Sequence, residues 1–411
     1  MIKSSWAVLL CKFNDDSTEP FTRDYYEDLF TTSGVGTQNM VDFFRDVSHG
    51  NLDLSDTRVF GWYTLNKKIS EYGSTGSEKL ENRGSLIKWA RQAATANGDD
   101  LSKYVGVLVC MNVPTDLFGG GDGAVCDNLS TDPRYLGQEM GHFYGLDHSR
   151  AEGSTEDYKD RWDVMSTANA YSATHPRYSF IGPGLNAANM AGRGWLDKSR
   201  VWETSASTVD TVVSLRPLHR YDLPGFLAIQ FGEYFVEFRN NERWDAGIPK
   251  PAVLVHRFEG GHSYIVPDSN GNQDFDAGSA LKGSIEIPGV VSAARSIEVL
   301  EIDSNQQSAK VRLHHHNTRV NYINPEEQPF RNPGVAYGVI VGGVISPISP
   351  RSPLLKTLKH MALYESSEAI SSVHLQNAVR LEILSAISSL AQDQMQTMQA
   401  FRQPAPPQQT Q

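Results

Sequence analysis

Residues 137–149 read GQEMGHFYGLDHS. A helix sets residues four apart on one face, so Gln138 and His142 share a face and Glu139 stands one step round from it. Gly145 lets the chain leave the helix through a left-handed turn, and that turn brings His148 back beside His142. Two imidazoles and a carboxylate gathered in this way suit a divalent metal and a base that activates water. The stretch is one residue short of the HExxHxxGxxH arrangement, because Gln138 stands where the first histidine belongs.

The surrounding sequence carries more of the same pattern. Residues 161–171 read RWDVMSTANAY, residues 182–197 read GPGLNAANMAGRGWLD, and residues 43–54 read FFRDVSHGNLDL. Together with the motif, these segments resemble the metzincin superfamily of zinc peptidases, and within it the peptidases similar to immune inhibitor A. The resemblance covers roughly residues 5–200 well and the following β-rich region more weakly. It implies an α/β metzincin-like peptidase domain and peptide-bond hydrolysis by a zinc-bound water. It also implies His142 and His148 as zinc ligands, Glu139 as general base, and Met165 in a Met-turn under the metal. Tyr171 is a further candidate, as an oxyanion stabiliser.

Gln138 departs from that pattern. Its amide is neutral and offers a carbonyl oxygen, whereas zinc prefers imidazole, thiolate or carboxylate. Three outcomes stay open from the sequence. The fold is non-catalytic; or zinc is held by His142, His148, the Gln138 oxygen and water with low or altered activity; or another ligand, another metal or a one-base His-to-Gln change accounts for it. The functional expectation is therefore a zinc metallopeptidase-like protein acting on protein or peptide. The alternative is a catalytically inactive peptidase homologue that serves as a peptide- or protein-binding module.

Bulk properties narrow the partners. The 411 residues carry a formal net charge of −11, which disfavours nucleic acid and anionic membranes. The N-terminal apolar run WAVLLC is six residues long, too short for a signal peptide or a membrane span. The expectation is a chain that is cytoplasmic or exported by another route. Cys11, Cys110 and Cys126 form no disulfide framework or zinc spacing; the first two read as buried thiols, with a Cys11–Cys110 bridge between adjacent strands as an alternative.

Strand-like and helix-like runs alternate up to about residue 200. "SWAVLLCKF" and "YVGVLVCMNV" read as central strands, "NLDLSDTRVFGWYTL" as another, and "GSLIKWARQAATANG" as a helix. "GGGDGAVCDN" reads as a glycine-rich turn leading to an edge strand, its glycines forming a flexible rim near the cleft. The expected domains are 1–200, α/β peptidase-like; 201–322, an all-β sandwich-like accessory domain; 323–353, a Pro-rich linker; and 354–411, a helical extension with a disordered tail. The helix of that extension is a candidate for homo-oligomer formation. Residues 268–276 alternate Asp and Asn as calcium loops do, but Gln273 occupies the position that needs glycine and no closing glutamate follows, so a solvated loop is expected. His314–His316 read as a strand end.

Overall fold

Strand Trp6–Lys12 is buried at every position from Trp6 to Cys11, so it needs cover on both faces. It pairs in parallel with Arg58–Thr64 on one side and with Gly106–Met111 on the other. Gly123–Cys126 continues the sheet in parallel, and the antiparallel strand Phe118–Gly120 closes that edge. In this computed structural model, residues 2–206, 208–287, 291–319, 338–341 and 344–347 are described.

Side chains along a strand alternate between faces, and each face has its own cover. Ala7, Leu9, Cys11 and Val109 pack on Leu86, Ile87, Ala90 and Ala94 of helix Gly76–Ala96. Trp6, Val8, Leu10 and Leu108 pack on Leu29, Phe43, Phe44, Leu136 and Met140. The latter five come from helices Arg23–Phe30, Met40–Val47 and Pro133–Phe143. The motif helix is thereby wedged between the sheet and Met40–Val47.

Three sequence expectations change here. The glycine-rich run supplies two strands, and Gly123–Cys126 is interior while Phe118–Gly120 forms the edge. Gly123–Cys126 is wholly buried and Phe118–Gly120 only half-buried, so the more apolar of the two takes the inner place. A Cys11–Cys110 bridge is excluded by the register, which sets Leu10 opposite Cys110 and turns Cys11 to the other face. The single strand expected over "NLDLSDTRVFGWYTL" divides into Leu52–Asp53 and Arg58–Thr64.

After residue 200 the chain builds two further sheets. One has six strands, in the order Val201–Glu203, Ala228–Phe231, Tyr234–Arg239, Ala252–Glu259, His262–Ile265 and Arg150–Ala151. The other orders Thr208–Leu215, Ser308–Arg319, Val291–Asp303 and Ala280–Ile287. Val213, Leu215, Phe231, Val236, Phe238, Val253, Val299 and Val311 form a shared core for them. The six-stranded sheet takes Arg150–Ala151 from just beyond the motif. Leu218, Leu227, Ala228 and Trp244 enter the same apolar cluster as Trp6 and Phe43. Hydrophobic packing thus continues across residue 200, within a compact unit that runs over Met1–Gly283 and Arg295–His315.

In the candidate calcium loop, Asp268 accepts hydrogen bonds from the Asn270 and Asn272 amides, both at 2.8 Å. Asp274 and Asp276 flank the Lys250 ammonium at 2.7 and 2.6 Å. Gly338–Val341 and Val344–Pro347 form a small antiparallel pair. The rest of the expected linker, and the helical extension expected over 354–411, lie outside the described residues. Among the described residues no helix is long and apolar enough to cross a membrane.

Candidate functional site

The motif helix starts where the sequence allows it to. Asp132 caps it by accepting the Tyr135 amide at 3.2 Å, and Pro133 occupies the first turn, where a missing N–H costs nothing. It ends at Gly145, whose φ of 79° is the left-handed turn the sequence demanded. The Gly145 and Leu146 amides donate back to the His142 and Gly141 carbonyls at 2.9 and 3.1 Å, a C-terminal cap of the Schellman kind. Leu146 then anchors the exit in the apolar core.

This geometry brings His142 and His148 together, their ring centroids 4.7 Å apart. Each ring is oriented through Nδ1. His142 Nδ1 lies 2.8 Å from the Leu146 carbonyl, and His148 Nδ1 lies 3.1 Å from the Asp157 carboxylate. Both partners can only accept, so each Nδ1 carries the proton and each Nε2 keeps its lone pair. This is how metal-binding imidazoles are held. Burial holds the His142 pKa below its ordinary value, the neighbouring His148 adding to it, so the ring stays neutral.

Met165 packs against Gly141 of the motif helix. The turn Val164–Ser166 carries it, and the Asp163 side chain caps the turn by accepting the Met165 amide at 2.7 Å. Asp163 also accepts the Ser149 hydroxyl at 3.0 Å, which ties the residue after His148 to the methionine turn. Gly141 is needed for close approach: a Cβ there would stand 2.7 Å from the Met165 sulfur.

Glu139 is buried, and burial pushes its pKa up to about 7; Asp116 adds to the rise, while the Gln138 amide and Arg83 oppose it. Strand Phe118–Gly120 passes over it, with Gly119 against the Glu139 carbonyl. The helix backbone at Glu139 thus lies against a sheet edge with no further strand beyond it among the described residues.

Gln138 is turned elsewhere. Its Oε1 accepts the Thr167 amide at 3.0 Å, and its Nε2 donates to Glu139 at 3.3 Å. The amide bridges the methionine turn and the candidate base. The two imidazoles are oriented through Nδ1 as metal ligands are, but His148 Nε2 is held by Tyr158 and the Gln138 oxygen is committed to a backbone N–H, so the three-ligand set is not assembled. Among the described residues no group of three His, Cys, Asp or Glu side chains is placed to hold a metal.

Sequence reasoning passed over Tyr158. Its hydroxyl donates to His148 Nε2 at 2.8 Å, and the two rings lie 4.1 Å apart. Its φ of 63° is unusual for a bulky side chain. Burial raises its pKa, with Glu139 and Asp157 adding to the effect. An Asp157–His148–Tyr158 chain of hydrogen bonds results. No spacing in the sequence signals it, because Tyr158 depends on the loop after His148 folding back. Tyr171, the tyrosine singled out from sequence, packs edge-on against Trp162 at 5.4 Å and under the Arg161 guanidinium at 4.2 Å.

No family model matches this chain, and no curated protein matches it. Two crystal structures of wild-type OgpA from Akkermansia muciniphila, in two crystal forms, are similar at 10% and 11% identity, over 77% of this chain and 92% and 94% of theirs. The TM-score is 0.28 for both, too low for any inference to rest on the likeness.

Proposed function

We propose that this chain is a zinc metallopeptidase-like protein whose cleft is kept and whose metal centre is crippled at Gln138, so that it holds peptide or protein segments rather than hydrolysing them. The observation that carries this is the Gln138 amide, bound to Thr167 on one side and Glu139 on the other. A residue so placed stabilises the architecture of the site while withholding a ligand. The open edge of Phe118–Gly120 supports the binding half of the reading, since an extended peptide can add to a free sheet edge. The resemblance of the motif and of the Met165 turn to metzincins supports descent from a hydrolase.

A second reading, slow zinc-dependent hydrolysis, has its own support. Both histidines keep the orientation of ligands, and Glu139 stands beside them as a candidate base.

Fluorescein-labelled casein tests both readings, with zinc content measured on the same samples. The wild-type chain is expected to bind the labelled casein, carry less than one zinc and release no dye. Gln138→His is expected to take up one zinc per chain and release dye, and adding Glu139→Ala is expected to stop release while zinc stays. A wild-type chain that carries one tight zinc and cleaves as fast as Gln138→His would overturn the proposal in favour of the second reading. A Gln138→His variant that binds zinc but never cleaves would remove the hydrolase ancestry from both.

A further inference from the structure

Strands Gly106–Met111 and Gly123–Cys126 run side by side in parallel, and their register sets Cys110 directly opposite Cys126. Both side chains enter the same apolar cluster, so they project from the same face of the sheet. Their sulfurs are 3.4 Å apart, and both are free thiols here. Neighbouring strands hold their Cα atoms about 4.8 Å apart, inside the roughly 4.4–6.8 Å range a disulfide spans. Closing the gap needs only a small movement of two side chains. Cys11 lies on the opposite face and is not a competing partner.

The position of the pair gives the bond a purpose. The residues between the two cysteines, 111–125, include strand Phe118–Gly120, the rim that lies over Glu139. The Asp127 carboxylate, just beyond this segment, already holds Thr115 within it by accepting the Thr115 amide at 2.8 Å. We propose that Cys110 and Cys126 are an oxidisable pair that closes to a disulfide in an oxidising environment and fastens the base of the cleft rim.

The chemistry is thiol–disulfide exchange with a small-molecule disulfide. One cysteine thiolate attacks the small disulfide and expels one thiolate, forming a mixed disulfide. The second cysteine thiolate attacks the protein sulfur of that intermediate and expels the other. One S–S bond forms in the protein, one is reduced outside it, and the two cysteine protons end on the two released thiols. Both thiols are buried in the folded chain, so the exchange proceeds while the strands are still assembling, before burial suppresses the thiolates.

The test refolds the full chain from urea, once in excess oxidised glutathione and once in dithiothreitol, followed by alkylation, digestion and mass mapping. The expected oxidised product is one linked pair of peptides containing Cys110 and Cys126, two hydrogens lighter, with Cys11 alkylated. Its thermal midpoint is expected to lie roughly 5–10 °C above that of the reduced form, as a loop of this length implies. The midpoint difference between buffers is expected to vanish in Cys126→Ala. Three alkylated cysteines after oxidative refolding, or a link that includes Cys11, would overturn the proposal without touching the reading of the histidine site.

Discussion

The histidine site and the buried charge cluster behind it use polar residues in opposite ways. Around Arg239 the buried charges pair with one another. Its guanidinium donates to Glu237, Asp245 and the Leu185 carbonyl at 2.7, 2.7 and 2.8 Å, and His256 meets Asp160 at 3.0 Å. Arg239 and Glu237 are fully buried, so they have no access to a ligand. At the histidine pair the Nδ1 atoms are answered by the Leu146 carbonyl and Asp157, Tyr158 donates to His148 Nε2, and Glu139 is held at a raised pKa. Groups committed to protein partners hold a fold together, while groups oriented on one side and left available on the other can do chemistry. Gln138 belongs to the first kind although it sits among the second.

Breaking the closed cluster has the largest expected effect. Arg239→Ala would leave Glu237 and Asp245 buried without their cation, costing about 3–5 kcal/mol. Urea denaturation checks this, and a loss under 1 kcal/mol would mean that the cluster is not a single unit.

Next comes Glu139. Glu139 has a folded pKa of about 7 against an unfolded value near 4.5, so the folded state binds the extra proton between them. Its contribution to stability is present below pH 4.5 and is lost as the pH rises through 7. Glu139→Gln should therefore gain on the wild type over that window, by roughly 3 kcal/mol at pH 8 and by little at pH 4. Parallel pH–stability curves for the two proteins would refute the raised pKa.

Converting Gln138 to the open kind should raise zinc affinity. Gln138→His is expected to tighten zinc binding by at least ~100-fold, more than a change outside the ligand set would give. Competition against a chromophoric chelator measures it, and an unchanged affinity would show that the missing histidine is not what limits the site.

The smallest effect belongs to Tyr158→Phe, which removes one hydrogen bond to His148 and should cost about 1 kcal/mol. The 15N chemical shift of His148 Nε2, measured by NMR in both proteins, would show whether the phenol holds that nitrogen; identical shifts would say that it does not.

Much of this is legible in the sequence. The apolar run at Trp6 reads as a central strand, and the helical period ending at Gly145 places Glu139 and His142. These are local effects of periodicity and dihedral freedom. Other elements were not legible, and each has a long-range cause. Which strand forms the sheet edge depends on how Phe118–Gly120 and Gly123–Cys126 compete for burial. The partner of Cys110 follows from strand register, which no spacing reveals. Tyr158 reaches His148 only because the intervening loop folds back.

Position 138 shows the division between the two. The sequence by itself determined that a helix carries an amide where an imidazole would complete a metal set, since residue identity and helical period suffice for that. Only the tertiary structure decided where the amide points. Thr167 lies 29 residues further on, and its backbone N–H is buried against the helix and needs an acceptor. A buried donor left unmatched costs free energy, so the Gln138 oxygen answers the backbone and is not offered to a metal.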